Sequence, residues 1–83
     1  MSKFHLRNII EVTWVDSNGT SKWDSLENYR NHSVAHYKTV GYLLKKTKKE
    51  VLVVFSQSPA NNGDGNGAMA IPMGCVTKIK RIK

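Results

Sequence analysis

Apolar and polar positions alternate over residues 8–15, Asn-Ile-Ile-Glu-Val-Thr-Trp-Val. Ile10, Val12 and Trp14 fall on one face, and Glu11 and Thr13 on the other with Ile9 and Val15, so the period of two predicts a strand. Asp16-Ser17-Asn18-Gly19 ends it with residues that tolerate the positive φ of tight turns. Asp24-Ser25-Leu26-Glu27 then reads as a capping box, with Asp24 as N-cap and Glu27 at the third helical position. Trp23, Leu26 and Tyr29 gather near one side of the short helix this starts, and His32 and Ser33 end it. Such a helix is too short to stand alone and is expected to pack on the strands, covering an open end.

Residues 39–44 and 51–56 form the clearest hairpin, joined by Lys45-Lys46-Thr47-Lys48-Lys49-Glu50. Gly41 inside the first of these strands marks a bend, which a small barrel needs in order to close. Val51-Leu52-Val53-Val54-Phe55 is apolar at every position, as in a central strand covered on both faces. A long glycine-rich loop over 59–67 leads to a strand at 68–71. Pro72 lacks an N–H and must stand at that strand's end. Met73-Gly74-Cys75 fits one helical turn, after which residues 76–82 resume as a strand. There Val76, Ile79 and Ile82 recur every third position instead of every second, which predicts a bulge. The order is strand, short helix, three strands, turn, strand.

At 83 residues the chain has room for one domain, expected over 1–83 with 1–7 as a flexible lead-in. A chain this short buries only about 60% of its unfolded surface, so self-association is a natural source of added stability. Hydrophobic content of 40% suits a folded domain. Cys75 is the one cysteine, so an intrachain disulfide framework is excluded. No stretch reaches 18 apolar residues and the N-terminus lacks a signal-peptide pattern, so a soluble cytoplasmic protein without a membrane partner is expected.

The strand ending Trp14-Val15-Asp16-Ser17, followed by Trp23, Val40-Gly41-Tyr42, and Ile71-Pro72 with Val76 and Ile79, resembles a set of short phage-encoded proteins. That set includes Sm-like members, and Sm and SH3-like domains share a small barrel whose last two strands are joined by a 3-10 turn. Ile71-Pro72-Met73-Gly74-Cys75-Val76 stands at that place, and the resemblance spans residues 9–82. It implies a mainly β, five-stranded SH3-like or Sm-like barrel with one short helix between strands 1 and 2. It also implies ring-like homo-oligomers, a nucleic-acid role and, for a phage-encoded chain, the host-cell cytoplasm. The Asp-x-Φ-x-Asn signature of cellular Sm proteins and their Arg-Gly second motif are both missing, so no RNA-contacting residue carries over.

Thirteen Lys and Arg against six Asp and Glu give a formal charge of +7, the electrostatic footprint of a protein that meets anions. Lys45, Lys46, Lys48 and Lys49 at the hairpin, and Lys78, Lys80, Arg81 and Lys83 at the C-terminus, are the candidate phosphate contacts. Equally, lysines at an exposed turn stay solvated and discourage edge aggregation. Tyr37, in a polar stretch, is the aromatic best placed to stack on a base. Gly63, Gly65, Asn66 and Gly67 form a weaker anion or ligand loop. Gly63 to Ala68 also fits G-x-G-x-x-G/A, but that motif needs a following helix and here a strand follows. The calcium-loop reading of Asn62, Asp64 and Asn66 puts Met73 where the bidentate glutamate belongs.

His32 and His36 would share a face only if the helix continued, so no metal and no cofactor is assigned. Cys75 reads as a small apolar residue in the turn. No acid–base pair or activated nucleophile is assembled by spacing, so an enzyme is not expected. The residues favour an oligomeric binding protein for RNA or single-stranded DNA. Two alternatives stay open: a module that binds or inhibits a host protein, and a nucleotide-type ligand binder using the glycine loop or a subunit interface.

Overall fold

The computed structural model describes residues 6–58 and 63–83. Five antiparallel strands form one sheet: β1 (Ile9–Asp16), β2 (Ala35–Lys46), β3 (Glu50–Gln57), β4 (Gly65–Pro72) and β5 (Val76–Arg81). Their order is β4-β3-β2-β1-β5. A helix, α1 (Leu26–Tyr29), lies between β1 and β2, and a 3-10 turn, Met73–Cys75, joins β4 to β5. The protein is therefore mainly β. Its sheet is open, with β4 and β5 as edges that are not paired with each other.

The buried cluster of Ile10, Val12, Val51, Val53 and Ile71 shows how the sheet is bent. It unites β1 with β3 and β4, which are not its neighbours, so the sheet curls over its own inner face. Ile10 and Val12 are the alternate residues expected to face inward. Trp14, Leu43, Met69, Met73, Val76 and Ile79 extend this core at its margins. Val76 and Ile79 both reach it because the β1–β5 register shifts between Thr13 and Trp14, the expected bulge. Thr77, left over in that bulge, donates its Oγ1 hydrogen to the Thr13 carbonyl.

β2 belongs to both halves of the curl, pairing with β1 over residues 35–42 and with β3 over 42–46. Gly41 sits at the changeover. A Cβ there would lie 2.9 Å from the Val54 carbonyl oxygen and 3.3 Å from Val53 Cβ. Gly41→Ala should therefore cost about 1–3 kcal/mol, as an extra methyl forces the two strands apart. Gly74 faces open space, so Gly74→Ala should be neutral or stabilise by about 0.4–1 kcal/mol. Urea denaturation of both variants checks the contrast, and equal midpoints would refute it.

The helix departs from expectation in two respects. Its N-cap is Ser25, one residue later than Asp24, because Ser25 takes the extended φ −71°, ψ 150° and its Oγ accepts from the Asn28 N–H at 3.1 Å. Asp24 supports the cap instead, with Oδ1 accepting from the Ser25 N–H and the Asn28 side-chain amide, each at 2.8 Å. Those bonds, the Asn28 one foremost, hold its carboxyl below the ordinary range.

Nor does the helix cover an open end of the sheet. None of its residues is buried, Trp23 is 100% exposed and Leu26 83%. Segment 17–34 is an arm leaving the far end of the β1–β2 ladder. The molecule is accordingly elongated, 60 × 22 × 21 Å with a radius of gyration of 17.0 Å, against about 12 Å for a compact chain of this length.

At the other end Leu6 is tied to β3. Its N–H donates to Gln57 Oε1 at 2.9 Å and its carbonyl accepts from Gln57 Nε2 at 2.7 Å. This part of the expected lead-in is thus anchored, and it lies beside Val54, the outward residue of β3 that is nonetheless buried. No helix among the described residues is long and apolar enough to cross a membrane.

Candidate nucleic-acid interface

Antiparallel pairing places directly opposed residues on the same face, so the register sorts the cationic side chains. Thr13 pairs with Lys38 on one side and Lys78 on the other. Glu11, two residues back on the same outer face, pairs with Val40 and Lys80. Lys38, Lys78 and Lys80 therefore stand on one outer face of β2–β1–β5. Adjacent strands are about 4.8 Å apart, so Lys38 and Lys78 are separated by about 10 Å at their Cα atoms. Glu11 is the acid at the centre of this face, and it makes no ion pair within 4.0 Å among the described residues. Lys38 escaped the sequence reading because its partnership with Lys78 exists only once β2 and β5 flank β1.

The remaining expected contacts are divided. Arg81 pairs with Ile10 and so belongs to the opposite side of the sheet. The Lys83 carbonyl accepts from the Ile9 N–H at 2.7 Å, which fixes the C-terminal end beside the start of β1. Lys45, Lys46, Lys48 and Lys49 surround the β2–β3 turn. Thr47 braces that turn, its Oγ1 accepting from the N–H groups of Lys49 at 3.1 Å and Glu50 at 3.2 Å. Lys45 Nζ lies 3.3 Å from the Glu50 carboxylate, which offsets part of its charge. The Lys49 carbonyl accepts from Met73 N–H at 2.8 Å, docking the turn against the 3-10 turn. The turn lysines and the sheet-face lysines thus come from different strand pairs.

Tyr37 is exposed, at 47%, but the structure gives its ring a neighbour. It pairs with Trp14 across the ladder, stacked at 4.9 Å between centroids and 30° between planes. Trp14 is itself fixed by a 2.9 Å bond from Nε1 to Thr39 Oγ1. By strand alternation this aromatic pair faces away from Lys38 and Lys78. Tyr37 and the lysines Lys78 and Lys80, all candidate contacts in the sequence, therefore stand on opposite sides of the pleat.

The glycine loop is described from Gly63 onward, and the calcium-loop position Asn62 lies outside the described residues. Gly65, Asn66, Gly67 and Ala68 belong to β4, so no helix follows the fingerprint and the dinucleotide reading has no phosphate-binding terminus. Gly67 has φ +82°, and a Cβ on it would meet Phe55 Cδ2 at 3.0 Å. Its glycine is therefore required by the strand. Gly63, Gly65 and Gly67 border a cavity of about 210 Å³ with Leu6, Leu44 and Val54. Asn66 borders a second hollow of about 280 Å³ beside Ser56 and Ser58. Asp64 lines both, and a carboxylate with no lysine or arginine among the described lining residues disfavours an anion.

The histidine spacing also dissolves. Helix α1 ends at Tyr29, while His36 stands in β2 opposite Val15. His32 is engaged through Nε2 with the Asn18 carbonyl. Among the described residues no three His, Cys, Asp or Glu side chains converge as a metal site would require. Cys75 is half-buried in the 3-10 turn. What the arrangement can do chemically is hold phosphates by charge. No protein-family model, no curated protein and no solved structure matches the chain.

Proposed function

We propose that the protein is a non-enzymatic small-barrel binding protein of SH3-like or Sm-like type. It forms homo-oligomers and binds RNA or single-stranded DNA through its outer lysine face. The observation that carries this reading is the gathering of Lys38, Lys78 and Lys80 across three adjacent strands, with Glu11 as the acid among them. Point charges on a solvated, pleated surface suit a flexible phosphate backbone, and such contacts position a strand without reading its bases. The strand order and the 3-10 turn between β4 and β5 support the barrel type. The small core and the two open edge strands support association between copies.

Fluorescence anisotropy with a labelled single strand at several salt concentrations tests this. Three phosphate contacts give a slope of log affinity against log salt of about −2, since each contributes about −0.7 for single strands. A fourfold rise in salt then weakens binding about 16-fold. An affinity indifferent to salt, or no binding at low salt, would overturn the reading. Stabilisation by mononucleotides in a thermal shift assay, with no single-strand binding, would favour the ligand alternative.

A further inference from the structure

Glu11 is out of place on a surface that meets phosphate. Among the outward residues of β1 and those paired with them on β2 and β5, it is the one acid. Lys80 stands directly opposite it on β5, and Lys38 and Lys78 lie one diagonal step away, about 7–8 Å between Cα atoms. Yet its carboxylate lies within 4.0 Å of no lysine or arginine among the described residues. A carboxylate left in this position repels phosphate and weakens the very contacts the lysines make. Its favourable role in a bound strand is toward a base.

An ionised carboxylate only accepts hydrogen bonds, and its two oxygens match two parallel N–H donors. Among unpaired bases only guanine presents such a pair on its Watson–Crick edge, N1–H beside the 2-amino group. Thymine and uracil offer one N–H between two carbonyls. Cytosine and adenine offer an amino group beside a ring-nitrogen lone pair. In those four, the second carboxylate oxygen faces a lone pair and is repelled.

The surroundings of Glu11 suit a base as well. Glu11 is half-buried, so water screens its carboxylate less than a fully solvated one. Its partner on β2 is exposed Val40, and the next outward residue of that strand is half-buried Tyr42. They set an aliphatic and an aromatic side chain beside the carboxylate, where the face of a base can pack. Tyr42 shares the lysine face, whereas Tyr37 does not.

We infer that Glu11 makes the lysine face selective for guanine in a single strand. Lys38, Lys78 and Lys80 hold the phosphates, the Glu11 carboxylate accepts from guanine N1–H and the 2-amino group, and Val40 and Tyr42 meet the ring. This rests on the nucleic-acid reading above and adds a base preference to contacts that by themselves carry none.

Fluorescence anisotropy with a short labelled oligothymidine carrying one central guanine tests the inference. The guanine strand should bind about tenfold tighter than the all-thymine strand, the effect of one bidentate base contact. Inosine at the same place lacks only the 2-amino group and should lose most of that gain. Glu11→Gln should tighten binding of the all-thymine strand, because a charge that repels phosphate is gone, and should relax the preference at the central base. Retained binding of the all-thymine strand shows that this variant is folded, and the inosine comparison needs no variant.

A guanine strand bound no tighter than its inosine or thymine counterpart overturns the inference, as does a guanine preference that survives Glu11→Gln. Salt-dependent binding of every strand alike removes the inference and leaves the nucleic-acid reading standing. Failure of all strands to bind at low salt removes both.

Discussion

Ile71→Ala is expected to remove about 2–5 kcal/mol of stability, the cost of truncating a large aliphatic side chain in a packed core. For an 83-residue chain the whole folding free energy is about 4–12 kcal/mol, so the variant approaches the limit of folding. The position earns this because Ile71 is only 1% exposed and sits opposite Val51 on β4, an edge strand. From there it closes the core over Val12, Val51 and Val53, which have no exposed surface. Among the described residues no helix or second sheet packs over this core. Val40→Ala, at an exposed site of the same sheet, should stay within about 0.5 kcal/mol. Urea titration of both variants decides it: a loss below about 1 kcal/mol for Ile71→Ala would mean that β4 does not lie over the core.

Where side chains alone decide the structure, the sequence announced it. Alternation placed Ile10 and Val12 inward, Pro72 ended β4, and the three-residue spacing of Val76, Ile79 and Ile82 marked a bulge that the register places between Val76 and Lys78, whereas Ile82 stays outside the core at 51% exposed. Where backbone pairing decides, the signal faded. β2 begins at Ala35, four residues before the apolar pattern does. Of its first inward positions, Ala35 and Tyr37 lie beyond the buried cluster and Thr39 stands opposite Val12 at its edge, so the ladder to Trp14 and Asp16 carries the strand past the apolar alternation of its own sequence. β4 begins at Gly65 for the same reason. Glycine has low strand propensity, yet Ser56 and Gln57 offer partners and the pairing prevails. The spacing of Trp23, Leu26 and Tyr29 promised a packed helix, but periodicity reports which residues share a side and not whether anything meets that side.

The candidate site followed the same division. Basic clusters are visible in any sequence, and both the turn lysines and the C-terminal ones were legible. Which of them share a face is a property of register, and one pleat step separates Lys80 from Arg81 and Lys38 from Tyr37. The glycine loop was read correctly from its context, since a strand and not a helix follows it. Its pattern imitates a phosphate cradle, whereas Gly67 is glycine because of φ +82° and the ring of Phe55.

The lysine face yields the largest functional effect. Lys38→Gln, Lys78→Gln and Lys80→Gln combined should flatten the salt slope of single-strand binding by about 2. At about 50 mM salt, three lost contacts at about 0.7 each, extrapolated to neutrality at 1 M, weaken binding by between 10² and 10³-fold. Glutamine keeps a polar, unbranched stem one atom shorter without the charge, and all three lysines are exposed, so the fold should tolerate the change. The matched comparison is Lys46→Gln, Lys48→Gln and Lys49→Gln at the β2–β3 turn. It removes the same formal charge from the opposite class of candidate site, so long-range attraction falls equally in both variants. Were net charge alone responsible, the two triples would bind alike. A specific sheet-face interface instead predicts that the turn triple keeps most of the slope. Equal slopes in the two variants would exclude the sheet face as the seat of binding, whatever the affinity of the unmodified protein.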